Sequence, residues 1–418
     1  MFGKVGRKAA WAPPVSRSQN RVRNGNGRRA RLPIRQCGRW DGGAIAHVRL
    51  YQSFAEAEVI WRGMETRDHF YTPFQRFDFL NVWQIHTGPF EHTTPLIVVA
   101  LDADNRPLML MPLATVRDNG VHVARFLGGK HSTFNMPIWR RDFAARATKA
   151  DLDLVFQSVA AHGIDILALT QQPKEWHGNA NPFAQLPGQP SANACPLLQV
   201  RPGATREEVI SSGMRYRIRQ KERKLSVLPG YRYFVARTDE DITRALDYFF
   251  ATKPLRMAAQ NLPNVFAAPH IEAFVRAACL TEIAGGYRAI DVHAIECRDE
   301  ILAMFGGVAD GHRYSMMFNT YTMSENARHS PGMVLLRNVI DHDVARGFTG
   351  FDLGIGAAGY KLHFCKGEQQ IFDCFIPFTA RGRLAALGMS SLNHAKRIVK
   401  QNPTLVSMAN RLRAAIHR

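Results

Sequence analysis

Three stretches of this 418-residue chain gather side chains that can handle anions and protons. The segment MRYRIRQKERKL carries Arg215, Arg217, Arg219, Lys221, Arg223 and Lys224, opposed by Glu222 alone. On a helix, Arg215, Arg219 and Arg223 form one ridge and Arg217, Lys221 and Lys224 another. Like charges this close repel unless an anion neutralises them, so the segment reads as a polyanion contact or as a solvated basic face. In ENARHSPGMVLL, Ser330-Pro331-Gly332 precedes an amphipathic run, with Met333 in its first turn. A helix starting there presents backbone amides and a positive dipole end to a phosphate. Capping by Ser330 and a first-turn Pro331 would explain the same residues. In FDLGIGAAGYKLHF, a carboxylate (Asp352), a phenol (Tyr360) and an amine (Lys361) surround a glycine loop. That set suits proton transfer and charge stabilisation during acyl transfer. Alternatively, Asp352 caps the loop and Lys361 merely pairs with it.

The same loop spells GIGAAG at residues 354 to 359, the literal string of a dinucleotide fingerprint. That string works only between a strand and a crossover helix. Here Gly367 follows eight residues after Gly359, too soon for such a helix. The glycines call for another explanation. No G-x-S-x-G, P-loop or H-E-x-x-H string is present, and His86 and His92 lack partner ligands, so no metal is expected.

The elements that must position these residues follow from periodicity. In the first half AIAHVRLY is a strand, and SFAEAEVIWRGME and QRFDFLNVWQIH are helices. TPLIVVALDA, RPLMLMPLATV and VHVARFLGG form a meander, and then KADLDLVFQSVAAHG is a helix and IDILALT a strand. The second half repeats the order. TREEVISSGMRYRIRQKERKLSV is one helix, then GYRYFVART a strand, with EDITRALDYFFATK and HIEAFVRAACLTEIA as helices. The strands AIDVHAIEC, ILAMFGGVAD and RYSMMFNTY precede the helix SPGMVLLRNVIDHDVARG and the strand FTGFDLG, and QQIFDCFIPFT closes that sheet. This order implies a mixed α/β layer present twice, with a hinge near residue 200 where Pro, Gly, Ser and Asn cluster.

With 46% hydrophobic residues the chain is globular, and no apolar run reaches the length of a membrane span. No secretory signal is visible. Six scattered cysteines without C-x-x-C spacing fit a reducing cytoplasm. The net charge of +19 sits at the ends: residues 1–40 hold eleven Lys/Arg and residues 380–418 hold eight, neither with an acid. The remaining 35 basic residues match the 35 acids, so no specific nucleic-acid partner is expected. The N-terminal stretch reads as a disordered tail. RGRLAALGMSSLNHAKRIVKQNPTLVSMANRLRAAIHR reads as two short basic amphipathic helices interrupted by Pro403, able to pack on their own domain or lie on an anionic membrane.

Taken together, residues 45 to 380 resemble the CelD-like branch of the GNAT acyltransferase superfamily, related to the Fem peptidyltransferases. The resemblance rests on Arg215 and Arg219 in the basic helix, the S-P-G-x-x-L-L turn at Ser330, and D-x-G-x-G-x-x-x-Y-K at Asp352 to Lys361. FQRFDFLNVW and LMPLATV match weaker patterns of the first half. It implies an α/β fold of mixed sheets, with two tandem GNAT-like domains and a C-terminal helical extension. The divisions are a basic tail over 1–43, domains over 44–200 and 201–380, and a helical tail over 381–418. It implies acyl transfer, with acyl-CoA as cosubstrate, to an amine or hydroxyl of an envelope- or exopolysaccharide-related acceptor. The catalytic set is Asp352 as base or orienter, Tyr360 as acid and Lys361 as anion contact. Arg215, Arg219, Ser330, Gly332 and Met333 would hold the donor, and Asn319, Tyr321, Gly354 and Gly356 the substrate. The turn Arg328-His329-Ser330-Pro331-Gly332-Met333 departs from the [QR]-x-x-G-x-[GA] of acetyl-CoA enzymes, with Gly332 alone easily aligned. Aminoacyl-tRNA, the donor of the Fem relatives, therefore stays open, as does a catalytically silent scaffold held at the membrane by basic tails.

Overall fold

The computed structural model describes residues 44–402, except residues 194, 299, 357 and 358. The basic N-terminal tail and everything from Pro403 onward, including the second expected terminal helix, lie outside the described residues.

Two mixed sheets repeat one strand pattern. The first holds β1 (His47–Tyr51), β2 (Thr94–Leu101), β3 (Pro107–Asp118), β4 (Val121–Phe126) and β5 (Ile166–Pro173). Neighbours are antiparallel except β4 and β5, which run parallel through Val123–Arg125 and Ile166–Ala168. The second sheet repeats this with β7 (Arg232–Ala236), β8 (Asp291–Glu296), β9 (Ile301–Ala309), β10 (Arg313–Tyr321) and β11 (Gly350–Asp352). Its parallel pair is β10 with β11. Parallel neighbours need a crossover; α3 (Lys149–Ala160) supplies one and α7 (Pro331–Val344) the other.

The sixth strand of each sheet is exchanged. Strand β6 (Cys195–Gln199) adds to β11 of the second sheet, through Leu197 opposite Asp352. Strand β13 (Ile371–Pro377), which follows β12 (Gly367–Gln369), adds instead to β5 of the first. The expectation that QQIFDCFIPFT closes the second sheet is thus corrected. Residues 371 to 374 are buried in succession, so the sequence does not mark one face, and only tertiary pairing decides which edge takes the strand.

One aromatic core spans both halves. The periodic apolar face of α2 (Phe77–His86) buries Phe77, Phe79, Leu80 and Trp83, and Phe79 meets Phe274 of α6 (Pro269–Leu280) edge-on at 5.6 Å. Each such ring contributes roughly 1.5–3 kcal/mol on leaving water. Two helix expectations change in detail. TREEVISSGMRYRIRQKERKLSV breaks at Ile210, giving Arg206–Val209 and α4 (Ser212–Leu225), because Ile210 is extended (ψ 132°) and buried. EDITRALDYFFATK continues past Pro254 as α5 (Asp239–Ala259). The described part of the C-terminal stretch forms helix α9 (Ala380–Gln401), docked on the first sheet. Among the described residues no helix is long and apolar enough to cross a membrane.

Candidate active site

The second sheet opens beside its parallel pair. β10 and β11 pair only at Arg313–Ser315 against Gly350–Asp352. Beyond that, β10 runs on to Tyr321, whereas the other chain leaves at Gly354, whose φ is +74°. A Cβ at Gly354 would sit 2.9 Å from the Met316 carbonyl oxygen, so glycine is needed where the strands part. Gly356 also holds a positive φ, +99°. This is what the GIGAAG glycines do: they let the chain turn away next to a cleft.

The cleft has a volume of 460 Å³ and is walled by Phe305, Asn319 and Tyr321 of the sheet, by Ala327, Ser330, Gly332 and Met333 around the start of α7, and by Tyr360. Its remaining wall, Lys253, Arg256, Met257 and Gln260, comes from α5 and the residue after it. At the α7 entrance Ser330 takes a left-handed backbone (φ 50°, ψ 55°). Such strain in a non-glycine residue is held by its surroundings and recurs at functional turns. Its carbonyl accepts from the amides of Met333 (2.9 Å) and Val334 (3.3 Å). Pro331 has no N–H, and the Gly332 amide, in the first turn of the helix, has no intrahelical acceptor.

The Ser330 side chain does not cap the helix. Its hydroxyl instead accepts from Lys221 Nζ at 2.7 Å. His329, next in line, is held below its ordinary value by what burial it has and by the charges of Arg328, Lys224 and Lys221. The basic helix therefore reaches the anion-ready helix start through its Lys221/Lys224 ridge.

That finding corrects the Arg215/Arg219 expectation. Arg215 is buried, 5% exposed, and forms a bidentate pair with Asp341 of α7, Nη1 lying 2.9 Å from Oδ2 and 3.0 Å from Oδ1. Arg219 is exposed and does not line the cleft. Both ridges look alike in sequence; Met214, Ile218 and Leu225 fix which side α4 buries.

Asp352 also differs from expectation. It is fully buried and absent from the cleft wall, accepting from Arg313 Nε at 2.9 Å, from the Ser315 hydroxyl and from the Gly354 amide at 3.2 Å. A carboxylate so enclosed cannot reach a substrate proton, so it fixes β10, β11 and the departing loop. Lys361, 7% exposed, donates to the carbonyls of Gly354 (2.9 Å) and Ile355 (3.3 Å), tying the same loop. It does not line the cleft. Burial lowers its ammonium from the usual lysine value, with Cys195 and Asp352 opposing. Tyr360 remains a cleft residue, its phenol raised by burial while Asn319 acts against the shift.

Sequence reasoning missed Lys253 and Arg256. Lys253 Nζ donates to the Asn319 carbonyl at 2.9 Å and lies 5.9 Å from the Phe249 and Phe266 ring centroids. Burial, helped by the Arg256 charge, pushes its ammonium down to about 8. Arg256 stacks over the Tyr321 ring at 3.2 Å. The signal was the cationic pair K-P-L-R ending an otherwise acid-started helix.

The same region answers to a known family. Residues 212–362 match the family model described as Acetyltransferase (GNAT) domain. This stretch, which holds most of the second sheet and the residues that wall the cleft, is similar to GNAT acetyltransferase domains. Among solved structures, FemX has a TM-score of 0.51 at 8% identity, over 78% of this chain and 96% of that one. A protein of unknown function from Bacteroides thetaiotaomicron VPI-5482 has 0.50 at 11%, over 79% and 99%. A tandem GNAT protein from the clavulanic acid biosynthesis pathway has 0.39 at 10%, over 79% and 98%. No curated protein matches this chain. The fold is mixed α/β, its two sheets repeating one strand pattern, and residues 212–362 are similar to GNAT acetyltransferase domains.

Proposed function

We propose that this chain is a CelD-like acyltransferase that moves an acyl group from acyl-CoA to an amine or hydroxyl of a cell-envelope or exopolysaccharide-related acceptor, working in the cytoplasm. The observation that carries the proposal is the meeting of Lys221, Ser330 and Gly332 at the mouth of the cleft where β10 and β11 part. A donor with a phosphate-bearing handle would place its phosphates against the Gly332 amide and the Lys221 and Lys224 charges. Its acyl end would enter the 460 Å³ space beside Asn319 and Tyr321.

With Asp352 sealed away, the cleft offers Lys253 as a base and Tyr360 as an acid. Lys253 in its neutral form takes the proton of the acceptor nitrogen or oxygen as that atom bonds to the acyl carbon. The bond between acyl carbon and donor sulfur breaks, and Tyr360 gives its proton to the sulfur. A base held near 8 and an acid held above its ordinary value suit this exchange close to neutral pH. Arg256 and Tyr321 form the wall against which the acceptor is oriented.

A second reading, transfer from aminoacyl-tRNA, is favoured by one feature: Arg217, Arg219, Arg223 and Lys224 form an exposed cationic face on α4. Thermal-shift titration separates the two. Ligands selective for the folded state raise its apparent stability in proportion to RT ln(1 + [L]/Kd). Stabilisation by acetyl-CoA or longer acyl-CoAs supports the first reading; stabilisation by charged tRNA alone supports the second. Stabilisation by neither would overturn both and leave a silent scaffold.

A further inference from the structure

Helix α9 packs on the first sheet through small residues. Ala385, Ala386 and Met389 meet Val123, Ile166 and Ala168, and Gly382 lies so close that a Cβ there would come 1.9 Å from the Asp165 carbonyl oxygen. The opposite face is apolar yet open. Leu384, Leu387 and Ile398 are 72%, 67% and 49% exposed. At 3.6 residues per turn they line up along the outer side over about 21 Å. Arg381 falls on one flank of this stripe and Arg383 with His394 on the other. Ala380–Gln401 holds five Lys/Arg and no acid.

We propose that the outer face of α9 docks on an anionic lipid bilayer. Its leucines and isoleucine would enter the boundary between headgroups and acyl chains, while the flanking arginines meet lipid phosphates. Long cationic side chains beside an apolar stripe suit this boundary, because their stems lie along apolar surface and their charges stay wet. The charge pattern disfavours the simplest protein occupant: a second copy pairing face to face would bring two acid-free cationic helices together. The inference is independent of the acyl donor.

The test is co-sedimentation of the full chain with vesicles of phosphatidylglycerol and phosphatidylcholine, and with phosphatidylcholine alone. The anionic vesicles should retain the protein. The combined substitution Leu384→Ser, Leu387→Ser and Ile398→Ser should weaken that retention about tenfold or more without shifting the melting temperature. A second variant, Arg381→Glu with Arg383→Glu, keeps the apolar stripe and should lose the preference for phosphatidylglycerol. Retention unchanged in both variants would overturn the proposal and point to the basic N-terminal segment. So would absence of retention in the unmodified chain, or a concentration-dependent dimer, seen by light scattering, that the serine substitutions abolish without any vesicle binding.

Discussion

Lys221 Nζ donates to the Ser330 hydroxyl across 2.7 Å, joining the basic helix α4 to the strained turn that opens α7. The contact puts a cation beside the turn that carries Gly332, at the rim of the cleft. Six residues earlier on α4, Arg215 makes the other kind of contact, a buried pair with Asp341.

The two cations should therefore separate cleanly in mutants. Lys221→Ala should raise the Kd for acyl-CoA about tenfold, near 1.4 kcal/mol, with little change in melting temperature. Arg215→Ala should leave Asp341 with Arg337 alone, at 3.1 Å, and cost about 1–3 kcal/mol of stability. Isothermal titration and denaturant unfolding read the two effects; a stable Arg215→Ala protein with weakened donor binding would reverse the assignment.

Lys253 gives the cleft a pH signature. As pH rises through about 8 its ammonium loses its proton in the folded chain, so kcat/KM should climb to a plateau above that value. Lys253→Met should lose that inflection and at least about a hundredfold in rate. There is a stability counterpart. The unfolded lysine keeps its proton to near 10.5, so between about 8 and 10.5 the unfolded state binds more protons and stability from this group rises with pH. A variant that keeps the inflection would remove Lys253 as the base.

The loop tie should behave as structure and not as chemistry. Lys361→Met removes the donor to the Gly354 and Ile355 carbonyls and should cost about 1–3 kcal/mol. Activity should fall through a raised KM, with the pH profile of the residual activity unchanged. An altered pH profile would return Lys361 to the reaction.

Asp343, 1% exposed on α7, has its carboxyl pushed up to about 7 by burial, with the Arg346 charge opposing. Its folded value exceeds the ordinary 3.8, so the stability it contributes is full below that value and is lost as pH rises to about 7. Asp343→Asn carries no such charge. Its melting temperature relative to the unmodified chain should shift upward between pH 5 and pH 8; a constant difference would show that Asp343 ionises freely.

Much of this architecture could be read from periodicity, because alternation and 3.6-residue spacing are local properties. The two-fold repeat, the strand meanders, the helix after Pro331 and the turn at Gly354 all follow from residue order. Lys253 was not legible, since nothing local marks a lysine as desolvated until Phe249 and Phe266 close around it.

By itself the sequence determined the periodic elements, the position of the left-handed glycine turn and the gathering of charge at the chain ends. Tertiary structure alone decided which cations face the cleft, that Asp352 is sealed by Arg313 and Ser315, and that the sixth strands change sheets. The reason is physical. Helix and strand patterns specify which residues share a face, whereas burial, pairing partner and proton affinity depend on what that face meets.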